Sequence, residues 1–213
     1  MKVLQDSPHK TGSVSRRGFL KLGSMATAAT AVPRWLQAQA ASSGPRSLAF
    51  YHTHTGERLR ATYWADGRYL PEALAQINWI LRDYRRDEIK PIDTRLLDLL
   101  YALARKLETR EPFHIICGYR STATNEFLRT HTIGVAQHSM HLEAKAADIR
   151  VPGRDLARVQ RAATALHDGG VGTYPHSDFV HVDVGRVRYW RLAGLLRPLT
   201  QSPKTVSSEM ESC

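Results

Sequence analysis

Two hydrophobic periods alternate along residues 48–190. Leu48-Ala49-Phe50-Tyr51-His52 and Leu59-Arg60-Ala61-Thr62-Tyr63-Trp64 are short apolar or alternating runs of strand length, joined by a turn at Thr55-Gly56. Asp66-Gly67 marks a second turn. Pro71 suits a first helical turn, and Leu74, Ile77, Ile80 and Leu81 then share a face, which predicts a helix to about Tyr84. Leu96, Leu97, Leu100 and Leu103 predict a second helix from Thr94 to Leu107, capped by Asp93 or Thr94. His114 to Tyr119 reads as a buried strand, Thr122 to Thr130 as a helix, and Ala146 to Val151 as a strand ended by Gly153. Leu156 to His167 reads as a helix closed by Gly169-Gly170, and Val171 to Tyr174 and Phe179 to Val184 complete a sheet. The class is α+β, a small and mainly antiparallel sheet flanked by helices, without internal repeats.

The two ends break this pattern. Ser15-Arg16-Arg17-Gly18-Phe19-Leu20-Lys21 precedes a modest apolar run to Val32, and Ala38-Gln39-Ala40 then offers small residues at the two positions a signal peptidase reads. The heptad resembles the twin-arginine export signal. The expected organisation is therefore a signal peptide over 1–40 cleaved near Ala40, a flexible leader over 41–46, one domain over 47–198, and a disordered polar tail over 199–213. No apolar run approaches the ~20 residues that span a bilayer. The expected location is the periplasm, with the membrane met only at the twin-arginine translocon.

Charge reads differently once the leader is set aside. The 213 residues carry 30 Lys+Arg and 20 Asp+Glu, a net +10 that invites a nucleic-acid partner. Six of those basic residues and one acidic residue lie in 1–40, so the chain beyond keeps 24 against 19, or +5. Arg82, Arg85, Arg86, Arg105 and Lys106 sit among acids, and no basic stripe, zinc finger or helix-turn-helix pattern appears. Nucleic acid is excluded as the expected partner. Two cysteines, Cys117 and Cys213, exclude a disulfide-stapled scaffold. A bridge between them is open in an oxidising compartment, but a buried free Cys117 is the expected state.

Candidate chemistry lies in two stretches. If Phe179 to Val184 is a strand, Val180, Val182 and Val184 face the core, and Phe179, His181 and Asp183 face away. Ala146, Asp148 and Arg150 likewise share one face of their strand. His141, seven residues before Asp148, completes a set of two imidazoles and one carboxylate, which suits a catalytic zinc with a fourth position left to water. Spacing alone also allows a surface histidine beside a structural ion pair.

Ser139-x-His141-x6-Asp148, His181-Val182-Asp183 and Gly118-Tyr119-Arg120-Ser121 together resemble the D-Ala-D-Ala metallopeptidase family. Within it, His54-Thr55-Gly56-Glu57, Leu81-Arg82-Asp83-Tyr84-Arg85, Gly169-Gly170-Val171-Gly172 with Tyr174, and Phe179-Val180-His181-Val182-Asp183 make the chain most similar to the MepK-like murein endopeptidases, from about residue 46 to Trp190. The resemblance implies zinc on His141, Asp148 and His181 at the open face of the sheet. It implies Arg120 as a clamp on the scissile carbonyl or a substrate carboxylate, against a plain salt bridge within the sheet. Ser139 is implied as a substrate or ligand contact, against a turn hydroxyl. The family's acid three residues before the last histidine falls on Asp178, favoured as general base, with Asp183 as its rival and otherwise as support for His181. One departure is Ala144, where the family has Gly; Ala resists positive φ. His138 and His176 read as surface histidines or substrate contacts, and His52-x-His54 as a pair away from the metal. The implied activity is zinc-dependent hydrolysis of amides in peptidoglycan crosslinks; peptidoglycan is the expected partner, and a monomer is expected apart from the resemblance. A D-Ala carboxypeptidase or dipeptidase and an inactive peptidoglycan-binding module are the alternatives.

Overall fold

Eight strands build one sheet in a computed structural model that describes residues 44–131 and 135–192. The strands are β1 (Arg46–His52), β2 (Arg58–Ala65), β3 (Arg68–Tyr69), β4 (Phe113–Cys117), β5 (Ala146–Arg150), β6 (Gly170–Tyr174), β7 (Phe179–Asp183) and β8 (Arg188–Arg191). Their order is β3-β2-β1-β4-β5-β7-β6-β8. The β1/β4 and β6/β8 pairs are parallel and the others antiparallel. Four helices accompany them among the described residues: α1 (Pro71–Ile80), α2 (Thr94–Lys106), α3 (Thr122–His131) and α4 (Leu156–Thr164). The α+β class stands, with a larger sheet than the sequence suggested. The expected leader peptide, Cys213 and the tail lie outside the described residues.

Side-chain alternation gives the sheet a core face. Phe50 pairs with Phe113, Ile115 with Ile149, and Ile149 and Ala147 with Val180 and Val182, all buried. Against these strands lie Ile77 and Ile80 of α1, Leu96, Leu97, Leu100 and Leu103 of α2, and Val159 and Ala163 of α4. Each buried α2 leucine contributes about 1.5–3 kcal/mol of transfer free energy. Asp93 caps α2, its carboxylate accepting from Arg95 N at 3.0 Å.

Local chemistry moves several boundaries. The first helix stops at Ile80 rather than Tyr84 because Asp83 turns to bind backbone: it accepts from Ser121 N at 2.9 Å and Arg85 N at 3.1 Å. Arg82 is buried with it, bonded to Glu57 and Asp87 and lying 4.0 Å over the Trp79 ring. The last helix ends at Thr164, and His167 takes a left-handed φ of 53°. β4 ends at Cys117 because Gly118 passes tightly against Leu81: a Cβ there would collide with the Leu81 carbonyl, which accepts from Tyr119 N at 2.7 Å. A bulge also breaks the β4/β5 register between Ile115 and Cys117. It puts Cys117 opposite Asp148, on the sheet face away from Ile115 and Ile149.

Candidate metal centre

The face opposite the core carries the chemistry. Strand register sets Asp148 beside His181, and His181 beside Gly172. His141 comes from outside the sheet, on a 3-10 turn over Met140–Glu143 whose cap is Ser139; the serine Oγ accepts from His141 N at 3.3 Å. The turn ends at Ala144, which adopts φ 54° and ψ 36° despite its methyl group, at a cost of about 1–2 kcal/mol. The departure from glycine therefore leaves a left-handed turn in place.

Three ligand-type atoms converge. His141 Nε2 lies 3.1 Å from His181 Nδ1 and 3.2 Å from Asp148 Oδ1, and His181 Nδ1 lies 2.9 Å from the same oxygen. Tetrahedral zinc with ligands at 2.0–2.1 Å holds donor atoms roughly 3.3 Å apart, so this triangle is of metal-binding size. The far nitrogens set the tautomers. His141 Nδ1 faces the Gly118 carbonyl at 2.6 Å, and His181 Nε2 faces Asp183 Oδ2 at 3.0 Å. Both partners only accept, so those nitrogens carry the protons and the lone pairs point into the triangle. Two lone pairs and a carboxylate converging in a buried site demand a cation. Without a metal, a proton takes the cation's place: burial opposes charging His141, yet Asp148 and Cys117 together push the imidazole up to about 10. Burial also opposes the Asp148 charge, but His141 and His181 hold that carboxyl well below the usual range. The donor set fits a divalent metal.

Cys117 Sγ also lies within 4.8 Å of the His141 and Asp148 ligand atoms. That grouping and the triangle share His141 and Asp148, so Cys117 and His181 are two candidates for a further ligand. Cys117 is buried and forms no disulfide among the described residues.

Asp183 is fully buried and accepts five hydrogen bonds. They come from His181 Nε2, Gly170 N (3.2 Å), Gly185 N (2.8 Å) and both terminal nitrogens of Arg188 (3.2 and 2.8 Å). Burial would raise its pKa, but these donors draw it down to about 2. Arg188 in turn lies 4.9 Å over the Trp190 ring, which sits 5.2 Å from the His181 ring. Gly170 and Gly172 make room for this layer, since a Cβ at either would collide with Asp183 or with the Trp190 indole.

The remaining candidates are placed differently. Arg120 is 5% exposed, with Nη1 donating to Asn125 Oδ1 at 3.3 Å, Nη2 to Cys117 Sγ at 3.5 Å, and Nη2 at 3.9 Å from Asp148 Oδ2. It is thus brought to the triangle's edge. Asp178 stands apart from the triangle, in the turn before β7 at φ 51°, its side chain 73% exposed and 3.7 Å from Arg150 Nε. It borders a cavity of about 260 Å³ with Arg150, Arg154 and Val180. His138 and His176 are exposed. His52 is buried, and its Nδ1 accepts from His54 N and Thr55 N, so the His-x-His pair organises a turn. Sequence reasoning gave no role to Arg188 or Trp190, nor to Tyr174, which it met only as part of a stretch that carries the resemblance. The available signal was the alternation Arg188-Tyr189-Trp190-Arg191, which places Arg188 and Trp190 on one face.

The profile of the family described as peptidoglycan L,D-endopeptidase MepK matches residues 40–190. The chain is 43% identical over 177 residues to the peptidoglycan L,D-endopeptidase MepK of Escherichia coli K12, covering 83% of this chain and 97% of the relative. It is 36% identical over 178 residues to the probable peptidoglycan L,D-endopeptidase MepK of Haemophilus influenzae, covering 83% and 96%. No solved structure gives a significant match.

Proposed function

The chain belongs to the peptidoglycan L,D-endopeptidase MepK family, and on that premise we propose that it is a zinc peptidase cutting amides in peptidoglycan crosslinks, at a bond joining an L-centre to a D-centre. The observation that carries the reading is the triangle of His141, Asp148 and His181, with both histidine tautomers fixed to present lone pairs. Zinc held there supplies a Lewis acid and draws the pKa of a water toward about 7.

The chain's own groups divide the remaining work. Gly118 O and Asp183 hold the two imidazoles in the ligating tautomer and orientation. Arg120, beside Asp148, offers positive charge to the scissile carbonyl as it polarises. Proton transfer falls to Asp178. Asp183 has its lone pairs filled, whereas the Asp178 carboxylate is exposed and three residues before His181. To take the proton of the attacking water and give it to the leaving amine, its carboxylate would have to turn from Arg150 to the metal face. Ser139 serves as the cap that orients His141. Residues 1–40 serve as the twin-arginine address that delivers the enzyme to the periplasm. Among the described residues, no helix is long and apolar enough to cross a membrane.

The test is digestion of purified sacculi followed by muropeptide chromatography. Loss of crosslinked dimers is expected with the wild type and not with His181→Ala. Trimmed monomers with crosslinks intact would make the enzyme a carboxypeptidase. An unchanged muropeptide profile would leave only a binding module.

A further inference from the structure

We propose that Tyr174 is a further catalytic residue, whose phenolic O–H donates a hydrogen bond to the oxygen of the scissile amide as that oxygen gains charge. The inference rests on the peptidase reading and adds a second donor to the one that Arg120 offers.

Placement comes first. On β6, residues 170, 172 and 174 share one face, and Gly172 is the register partner of His181. The first two are glycines, so Tyr174 is the one side chain beyond Cα that β6 places on the metal face. Its ring is fixed on two sides. It stacks on Phe179 at 4.5 Å and 16°, and its oxygen accepts from Trp190 Nε1 at 3.1 Å.

The direction of that bond matters. An indole N–H only donates, so the Tyr174 oxygen is the acceptor and its own proton points elsewhere. Among the described residues, no side chain or carbonyl accepts that proton. A half-buried hydroxyl is thus held with an unspent donor. Trp190 is itself packed, its indole lying 5.2 Å from the His181 ring, under Arg188 at 4.9 Å, and against Gly172.

The electrostatic surroundings agree. Burial raises the Tyr174 pKa, so the group stays a donor at neutral pH, and it senses Asp148, Arg120 and Arg188, the charges of the metal site. A donor fixed before substrate arrives needs no reorganisation when charge develops, which is where such groups contribute most.

The test is Tyr174→Phe, which keeps the stack on Phe179 and removes only the hydroxyl. With the purified holoenzyme on a crosslinked muropeptide, kcat should fall about 100-fold, while zinc content and KM stay near wild type. Affinity for a phosphinate analogue of the crosslink should fall in parallel with kcat/KM. Trp190→Phe should lower kcat less, and the double variant should be no slower than Tyr174→Phe, since Trp190 would then have no hydroxyl to aim. Wild-type kcat and phosphinate affinity in Tyr174→Phe overturn this inference alone. Loss of zinc from Tyr174→Phe does so too, by making the residue structural. A wild type inert on every crosslinked muropeptide overturns the peptidase reading, and this inference falls with it.

Discussion

Asp183 receives five hydrogen bonds while Asp178, five residues earlier, receives none on its carboxylate beyond the Arg150 contact. On the proposed reading, that contrast gives support of His181 to Asp183 and proton transfer to Asp178. Asp183→Asn removes the charge that holds the His181 N–H and leaves Arg188 without its partner. Zinc affinity should drop about 10–100-fold, measured by chelator competition, and saturating zinc should restore much of the turnover. Asp178→Asn should keep zinc and lose turnover by about 100-fold or more, which added zinc does not restore. The reverse pattern would exchange the two roles. His52 makes a separate prediction. Burial holds its folded pKa down to about 4, from an ordinary value near 6.5. The unfolded chain therefore binds the proton first as pH falls. The neutral form's stability is fully present above about 6.5 and is lost between about 6.5 and 4. His52→Asn keeps an acceptor for His54 N and Thr55 N without titrating. Denaturant midpoints should show the wild type losing ground to this variant as pH drops from 7 to 4.5. A constant gap would contradict the assignment.

At the scale of elements, two glycines fail differently when given a methyl group. Gly118 meets the Leu81 backbone, which cannot move aside, whereas Gly172 meets the edge of the Trp190 indole. Gly118→Ala should lower the melting temperature sharply and with it zinc binding, since the Gly118 carbonyl orients His141. Gly172→Ala should keep the fold by calorimetry but shift tryptophan fluorescence and reduce turnover. The alternating valines made β7 legible, and the Leu96–Leu103 spacing made α2 legible, because in both cases burial follows the local period. Boundaries set by side chains reaching across the chain were not legible. Asp83 ends α1 through Ser121, 38 residues on. The β8 strand hid because Arg188 and Arg191 read as surface charge, and its partner β6 is joined in parallel rather than by a hairpin. The same distance in sequence concealed the contacts of Arg188 and Tyr174. Their roles depend on Asp183 and Trp190 lying beside them in the sheet, and no spacing rule encodes that. His141, Asp148 and His181 were legible as ligand types, because strand alternation alone turned two of them away from the core.

Over the whole molecule, α1, α2 and α4 cover one face of the sheet and leave the other to the chemistry. The expected cleavage of residues 1–40 would halve the +10 charge, leaving an excess suited to an anionic wall polymer. The central claim is that one metal at His141, Asp148 and His181 supports crosslink hydrolysis. The most direct measurement is to strip the protein with chelator and titrate zinc back, following bound metal and cleavage of a crosslinked muropeptide dimer together. Cleavage should rise in proportion to bound zinc and saturate at one per chain, and Asp148→Asn should show neither tight zinc binding nor cleavage. Full cleavage by the stripped protein, or by Asp148→Asn without bound metal, would contradict the account.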